Sequence, residues 1–430
     1  MEEKLLQYIW KNRVFPLTDY HLVTGEKLEI VSVGEENLDS GPDFFNAKIK
    51  INNVLWIGSI EIHKKSSDWL KHGHLGDSAY DNVVLHVVYE HDVEVKNSKG
   101  EVLRVFELNT LINKSLESDY RRYIEKGCPI ICEKSLADID QFRLVTWLDR
   151  MVVNRLDRRT EDINRYLEQT VNNKEQVFYE LLAKAFGFKI NALPMQMIAQ
   201  SLPLSVIAKQ HDSCLQIEAM FFGQAGLLEP DYNDEYPKML QKEYNFLKRK
   251  YNLSAPCTVA TWKFAKMYPS GFPTIRLSQL ANLMCQSHNL FSEVMEANHV
   301  KELVDILSVK ASSYWDTHYQ FDVVAKKQEK KLGKQAIYSL IINTILPFVY
   351  AYATWMEQVD KKNKVLGLLE SMPAEENTIV RKYQAIHSHV KNALHSQALI
   401  ELYQNYCNKK NCLHCGIGIY LLKARANCEV

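Results

Sequence analysis

The hydrophobic period of this 430-residue chain changes once, near Asp138, and that change limits what it can fold into. Before it, apolar and polar residues alternate in Lys27–Val33, Ala47–Ile51 and Val54–His63, the pattern of half-buried strands. Val83–Tyr89 (V-V-L-H-V-V-Y) is apolar almost throughout, as in a central strand covered on both faces, and Val102–Leu108 supplies a fifth run. Asn52-Asn53 reads as a tight hairpin turn, and residues 2–12 read as a short helix. After Asp138 the apolar residues recur at helical spacing, as in F-R-L-V-T-W-L-D-R-M-V-V-N-R-L and I-Y-S-L-I-I-N-T-I-L-P-F-V-Y-A-Y. Breakers at Ala192–Pro194, Pro230 and Pro269–Pro273 divide these runs. The expectation is an α+β chain: an α/β domain over residues 1–135, a large all-α domain over 136–400, and a helix with a cysteine turn over 401–430.

Composition bounds the rest. An apolar fraction of 46% with 24% charged residues is that of a globular chain, not a disordered one. The sequence shows no uninterrupted apolar run near the roughly 20 residues of a membrane span. The N-terminal M-E-E-K-L-L-Q-Y-I-W-K puts acids where a signal peptide carries bases, so the expected location is the cytoplasm, with no membrane partner. The first hundred residues hold 11 bases against 16 acids, and the other 330 hold 41 against 36. An acidic front and a basic remainder suit a carboxylate metal site followed by a module facing a polyanion.

The chemistry concentrates between Gly41 and Lys65. Alternate residues of a strand share a face, so Glu61, His63 and Lys65 point together, opposite Ile60 and Ile62. A hairpin brings Asp43 beside them. Two carboxylates meeting a nitrogen base can hold Mg²⁺ or Mn²⁺ and lower the pKa of a bound water. Pro42-Asp43 followed by Glu61-Ile62-His63 resembles the signature of PD-(D/E)XK nucleases over about residues 1–110, with histidine in the usual lysine position. That resemblance implies a restriction-endonuclease-like domain with a mixed sheet. It also implies Asp43 and Glu61 as metal ligands, His63 as the lysine surrogate, and Glu3 or Glu29 as an accessory acid. Lys65 stands one pleat further on as an alternative cation. His72, His74, Asp77 and Asp81 crowd the next loop as accessory groups, and His86 on the following strand reads as a core histidine.

A second cluster is Cys407-x₄-Cys412-x₂-Cys415, three of nine cysteines within nine residues. Thiolates this close, with Gly416 and Gly418 easing the turn, suit zinc or an iron–sulfur cluster. A fourth ligand is needed: Cys132 is the first candidate, then Cys128, with His414 or Cys428 as local choices. Cys214, Cys257 and Cys285 read as ordinary small apolar residues. In the helical body, Thr274 reads as a cap after Pro273, leaving Arg276 and Gln279 on one flank to contact nucleic acid. Gln224 in F-F-G-Q-A-G needs partners for its amide.

The segments G-P-D-F, E-I-H-K-K-S-S-D-W, F-F-G-Q-A-G, F-P-T-I-R-L-S-Q-L-A and the terminal cysteine turn together resemble a bacterial family of unknown function across nearly the whole chain. The expected activity is metal-dependent hydrolysis of DNA or RNA. The alternative is a catalytically inactive scaffold of the same fold that binds nucleic acid or protein; the missing lysine keeps that alternative open.

Overall fold

The computed structural model describes residues 2–427, apart from 16–18, 38–40, 75–76, 113–129, 131, 266–267 and 387–389, with side chains described as far as Leu421. The chain divides into two units. The first comprises Met1–Trp147 and Leu402–Val430, and the second Leu148–Glu401. Residues 402–430 therefore join the first unit and do not stand apart as a third region.

The first unit is built on a seven-stranded sheet. Its strands are β1 (Tyr20–His21), β2 (Lys27–Ser32), β3 (Glu35–Glu36), β4 (Phe44–Ile51), β5 (Val54–Lys65), β6 (Val83–Glu90) and β7 (Val105–Glu107). The spatial order is β1-β2-β4-β5-β6-β7, with β3 paired to β4. β2, β4 and β5 are antiparallel neighbours, whereas β5, β6 and β7 run parallel. The five runs anticipated from sequence correspond to β2, β4, β5, β6 and β7. The turn between β4 and β5 is Asn52-Asn53, both left-handed at φ 47° and 69°, which matches the right-handed twist of the flanking strands.

The two edges of this sheet meet. Just beyond β1, the Val23 N–H donates to the Val105 carbonyl on β7 at 2.9 Å. The result is a near-closed, barrel-like sheet, and this corrects the expected restriction-endonuclease-like domain, whose sheet is open and twisted. The overall α+β architecture, with a large helical region after the sheet, stands as expected.

Helix α1 (Glu3–Asn12) seals one side of the sheet. Leu5, Leu6, Ile9 and Trp10 are all fully buried, at i, i+1, i+4 and i+5 spacing. They pack with Phe44, Ile49, Ile60, Ile62, Leu85 and Phe106 in one core that also takes in Leu413. Each such aliphatic burial contributes about 1.5–3 kcal/mol. Arg13, left-handed at φ 50°, ends the helix by donating its N–H to the carbonyls of Ile9 and Trp10. A smaller cluster on Trp69, Val83, Val95 and Leu103 lies apart from this core.

The second unit is almost wholly helical, with one small hairpin of β8 (His318–Gln320) and β9 (Val323–Val324). Helix Pro273–Gln286 buries eleven of its fourteen residues. It begins at Pro273 with Phe272 as its cap residue, so Thr274 is not the cap; its hydroxyl donates to the Tyr319 carbonyl at 2.6 Å. The Gln224 amide is satisfied by Ser201 at 2.7 Å and Tyr244 at 3.0 Å. Residues Lys334–Trp355 form a continuous 22-residue helical stretch that includes a π segment at Ile341–Ile345 and is long and apolar enough to cross a membrane. With 67% of its most apolar window buried inside the protein, it has the character of a core helix. Cys214 and Cys285 are joined as a disulfide, correcting their reading as unlinked apolar residues. The helices that carry them hold their Cα atoms 5.4 Å apart, within bridging range.

Candidate metal centre

The side of β5 opposite α1 carries Glu61 and His63, both closed off from solvent at 5% and 1% exposure. Parallel pairing sets His86 of β6 directly beside Glu61. A His63 Nδ1 to His86 Nε2 contact of 2.9 Å joins the two rings. The strand then turns into α2 (Asp68–Lys71), a single helical turn. Asp68 anchors its start by accepting the Lys65 N–H at 2.9 Å. Asp92 braces the same corner by accepting from the Ser67 N–H at 2.9 Å and from the Ser66 and Ser67 hydroxyls at 3.0 and 2.8 Å. His72 ends α2. Gly73 follows at φ +78°, where an L side chain is strained, and His74 comes next. That reversal turns both imidazoles back onto His63.

The ring nitrogens of His63, His72 and His74 all lie within 4.8 Å of one another. His63 Nε2 is 3.1 Å from His72 Nδ1 and 3.4 Å from Glu61 Oε1. His74 Nε2 stands 3.4 Å from the same Glu61 oxygen and makes no hydrogen bond. Trp69 and Tyr80 wall the group, with Tyr80 stacked on His74 at 3.8 Å between centroids. His72 alone of the three is exposed, so the centre reaches solvent at that ring.

Electrostatics follow from burial. Desolvation, then the neighbouring imidazoles, pushes His63 down to about 2, and His74 is lowered for the same reasons. These rings are therefore neutral, the form that donates a lone pair to a metal. Glu61 is held above the ordinary carboxylate range, by burial first and by Asp43 second. Asp43 is raised likewise by burial, against the N–H of Ile62 and the amide of Gln7. A cation between Glu61 and the imidazoles would relieve both penalties at once.

The structure places the other anticipated residues as follows. Asp43 does meet Glu61: its N–H donates to Glu61 Oε2 at 3.1 Å, and its Oδ2 accepts the Ile62 N–H at 2.9 Å. Its Oδ1 is taken by Gln7 at 2.7 Å, which leaves it outside the histidine group. Lys65 pairs with Glu90 at 3.2 Å and does not reach the cluster. Glu29 pairs with Lys50 at 3.0 Å on the exposed face of β2. Asp77 is exposed and caps the Ala79 N–H at 2.9 Å. In the second unit, Gln279 is 1% exposed and donates to the Lys330 carbonyl at 3.0 Å. The Arg276 guanidinium lies 4.7 Å over Phe188 and donates to Gln279 at 2.9 Å. Gln279 is thereby closed off from a nucleic-acid surface, whereas Arg276 is half-buried against Phe188. Cys128 and Cys428 lie outside the described residues.

His86, read as a core histidine, does lie in the core, yet it also touches the centre. Trp69 and Tyr80 went unrecognised as its walls; the tryptophan eight residues after Glu61 was the available signal.

A buried carboxylate–imidazole cluster on a curled sheet, with a helical second unit, defines a potential metal-binding α+β protein. The chain belongs to the family described as Protein of unknown function (DUF2851), whose family model matches residues 3–378. No curated protein and no solved structure matches it. The nuclease resemblance, and the enzymatic assignment resting on it, are overturned. The sheet is near-closed, Glu61-Ile62-His63 contains no catalytic D/E-x-K, and the family that matches carries no nuclease description.

Proposed function

We propose that the first unit is a non-catalytic scaffold organised by one divalent transition-metal ion, held by His63, His72 and His74 with Glu61 as the charged partner. The convergence of three imidazoles within 4.8 Å carries this reading. Three nitrogen donors suit zinc, nickel or cobalt; Mg²⁺ and Mn²⁺, expected from the carboxylate pair, prefer all-oxygen sites. The ion joins β5 to the loop after α2, ordering a surface that engages a partner. For the second unit the proposed partner is nucleic acid, bound through a cavity of about 790 Å³ that Arg159, Arg165, Lys184 and Lys189 line beside Tyr166 and Phe188. Cations interleaved with rings suit phosphate contact and base stacking.

Calorimetric titration of the metal-free protein with Ni²⁺ tests the centre. In a chain carrying Cys407→Ser and Cys412→Ser, so that the thiols take up no ion, one equivalent binds, and His72→Ala weakens it by at least about 10–100-fold, the range seen when even an outer partner is lost. Equal affinity in that chain and in one that also carries His63→Ala and His74→Ala would overturn the assignment. The partner is tested by binding of a labelled single-stranded oligonucleotide across a salt series. Affinity that ignores salt, or does not change in Lys184→Glu, removes nucleic acid as the partner.

A further inference from the structure

The C-terminal part of the first unit carries a second group of ligand-type side chains, chemically unlike the histidines. Cys407 closes a π turn (Tyr403–Cys407), Cys412 opens a 3₁₀ turn (Cys412–His414), and Cys415 follows that turn directly. The backbone between them is tightly folded. The Lys410 N–H reaches the Cys407 carbonyl at 3.1 Å with Lys410 left-handed at φ 52°, and the Cys415 N–H reaches the Cys412 carbonyl at 3.2 Å. Two glycines are sterically required. A Cβ on Gly418 would stand 2.2 Å from the Cys412 carbonyl oxygen, and one on Gly416 would stand 2.5 Å from the Trp147 ring.

Three features point to a ligand. The N–H groups of Ile417 and Gly418, at the start of helix Gly416–Asn427, both donate to the Cys415 sulfur, so two backbone donors converge on that atom. Cys132, at the head of the 3₁₀ turn Glu133–Asp138, comes from 275 residues earlier and stands within electrostatic reach of Cys407, Cys412 and Cys415 alike. All four carry thiols, whereas Cys214 and Cys285 are joined in a disulfide.

We propose that Cys132, Cys407, Cys412 and Cys415 form a single four-thiolate site for a thiophilic metal, either one zinc ion or an iron–sulfur cluster. The site is independent of the histidine centre. On binding, each S–H proton passes to solvent as the sulfur–metal bond forms, and no electron is transferred in that step. Closed four-sulfur coordination is structural. Here it staples the segment after Leu402 to the turn at Cys132.

The test uses the full chain carrying His63→Ala and His72→Ala, so that the histidine centre contributes no metal. Purified without oxygen, this protein contains either one zinc per chain and no colour, or iron and sulfide with visible charge-transfer absorption. The metal is lost in Cys132→Ser and in the partly exposed Cys407→Ser. Cobalt(II) added to the zinc-free form produces intense sulfur-to-cobalt bands, and Cys132→Ser weakens them. The proposal is overturned if the purified chain holds neither metal and cobalt produces no such bands. It is equally overturned if Cys132→Ser keeps the full metal content and spectrum, which would leave the three C-terminal sulfurs as the whole site.

Discussion

Gly73 shows how much a single residue sets in this protein. Nothing lies within 4 Å of where its Cβ would be, so Gly73→Ala meets no clash and only the strain of φ +78°. The expected cost is about 1 kcal/mol in chemical denaturation, together with weaker metal binding because His72 and His74 swing apart. Glu218 is a separate case. It is 2% exposed, and its Oε1 accepts from Trp315 at 2.9 Å and Ser312 at 3.1 Å. Burial raises it above its ordinary value of 4.5 despite those donors. The folded protein therefore keeps this proton where the unfolded chain has lost it, and stability falls as pH rises upward from 4.5. Glu218→Gln removes that part of the fall, which urea midpoints at several pH values will measure. Such residues were only half legible in the sequence. Glu61 and His63 stood out by period-two spacing, but their depth, and the neutral imidazole of His63, depend on β6 lying beside them.

At the scale of elements, the strands and the hairpin were legible because each satisfies a local rule. The alternation in β2, β4 and β5 and the apolar run of β6 are periods that survive in any context. The asparagine pair suits a turn with both residues left-handed, so Asn53→Gly is expected to add about 0.5 kcal/mol, read from thermal and urea midpoints. Two-residue β1 and β3 carry no such period, and the Val23–Val105 bond that curls the sheet shut joins positions 82 residues apart. That one closure is what separates the observed sheet from the open one expected. Helix α1 was legible as a helix, but not as the element that seals the core. Trp10 is fully buried, and its indole N–H donates to the Val33 carbonyl at 3.1 Å. Trp10→Ala should cost about 3–5 kcal/mol, measured as a lower urea midpoint with the slope unchanged.

At the scale of the whole molecule, the first unit is discontinuous in sequence. Leu413 is buried in its core, Ile419 packs against that core, and the Ile419 carbonyl accepts the Tyr8 hydroxyl at 3.4 Å. Deleting residues 402–430 should expose this surface. The predicted outcome is dye binding by exposed apolar groups and a lower melting temperature, whereas an unchanged melting profile would show that the segment contributes nothing. Sequence reading set 401–430 apart as a helix followed by a cysteine turn. Membership in the first unit is a long-range property that spacing does not encode. During synthesis on a ribosome the consequence is one of timing. The sheet emerges first, yet its core stays incomplete while more than 250 further residues are translated, and a chaperone has that interval in which to hold the unfinished surface.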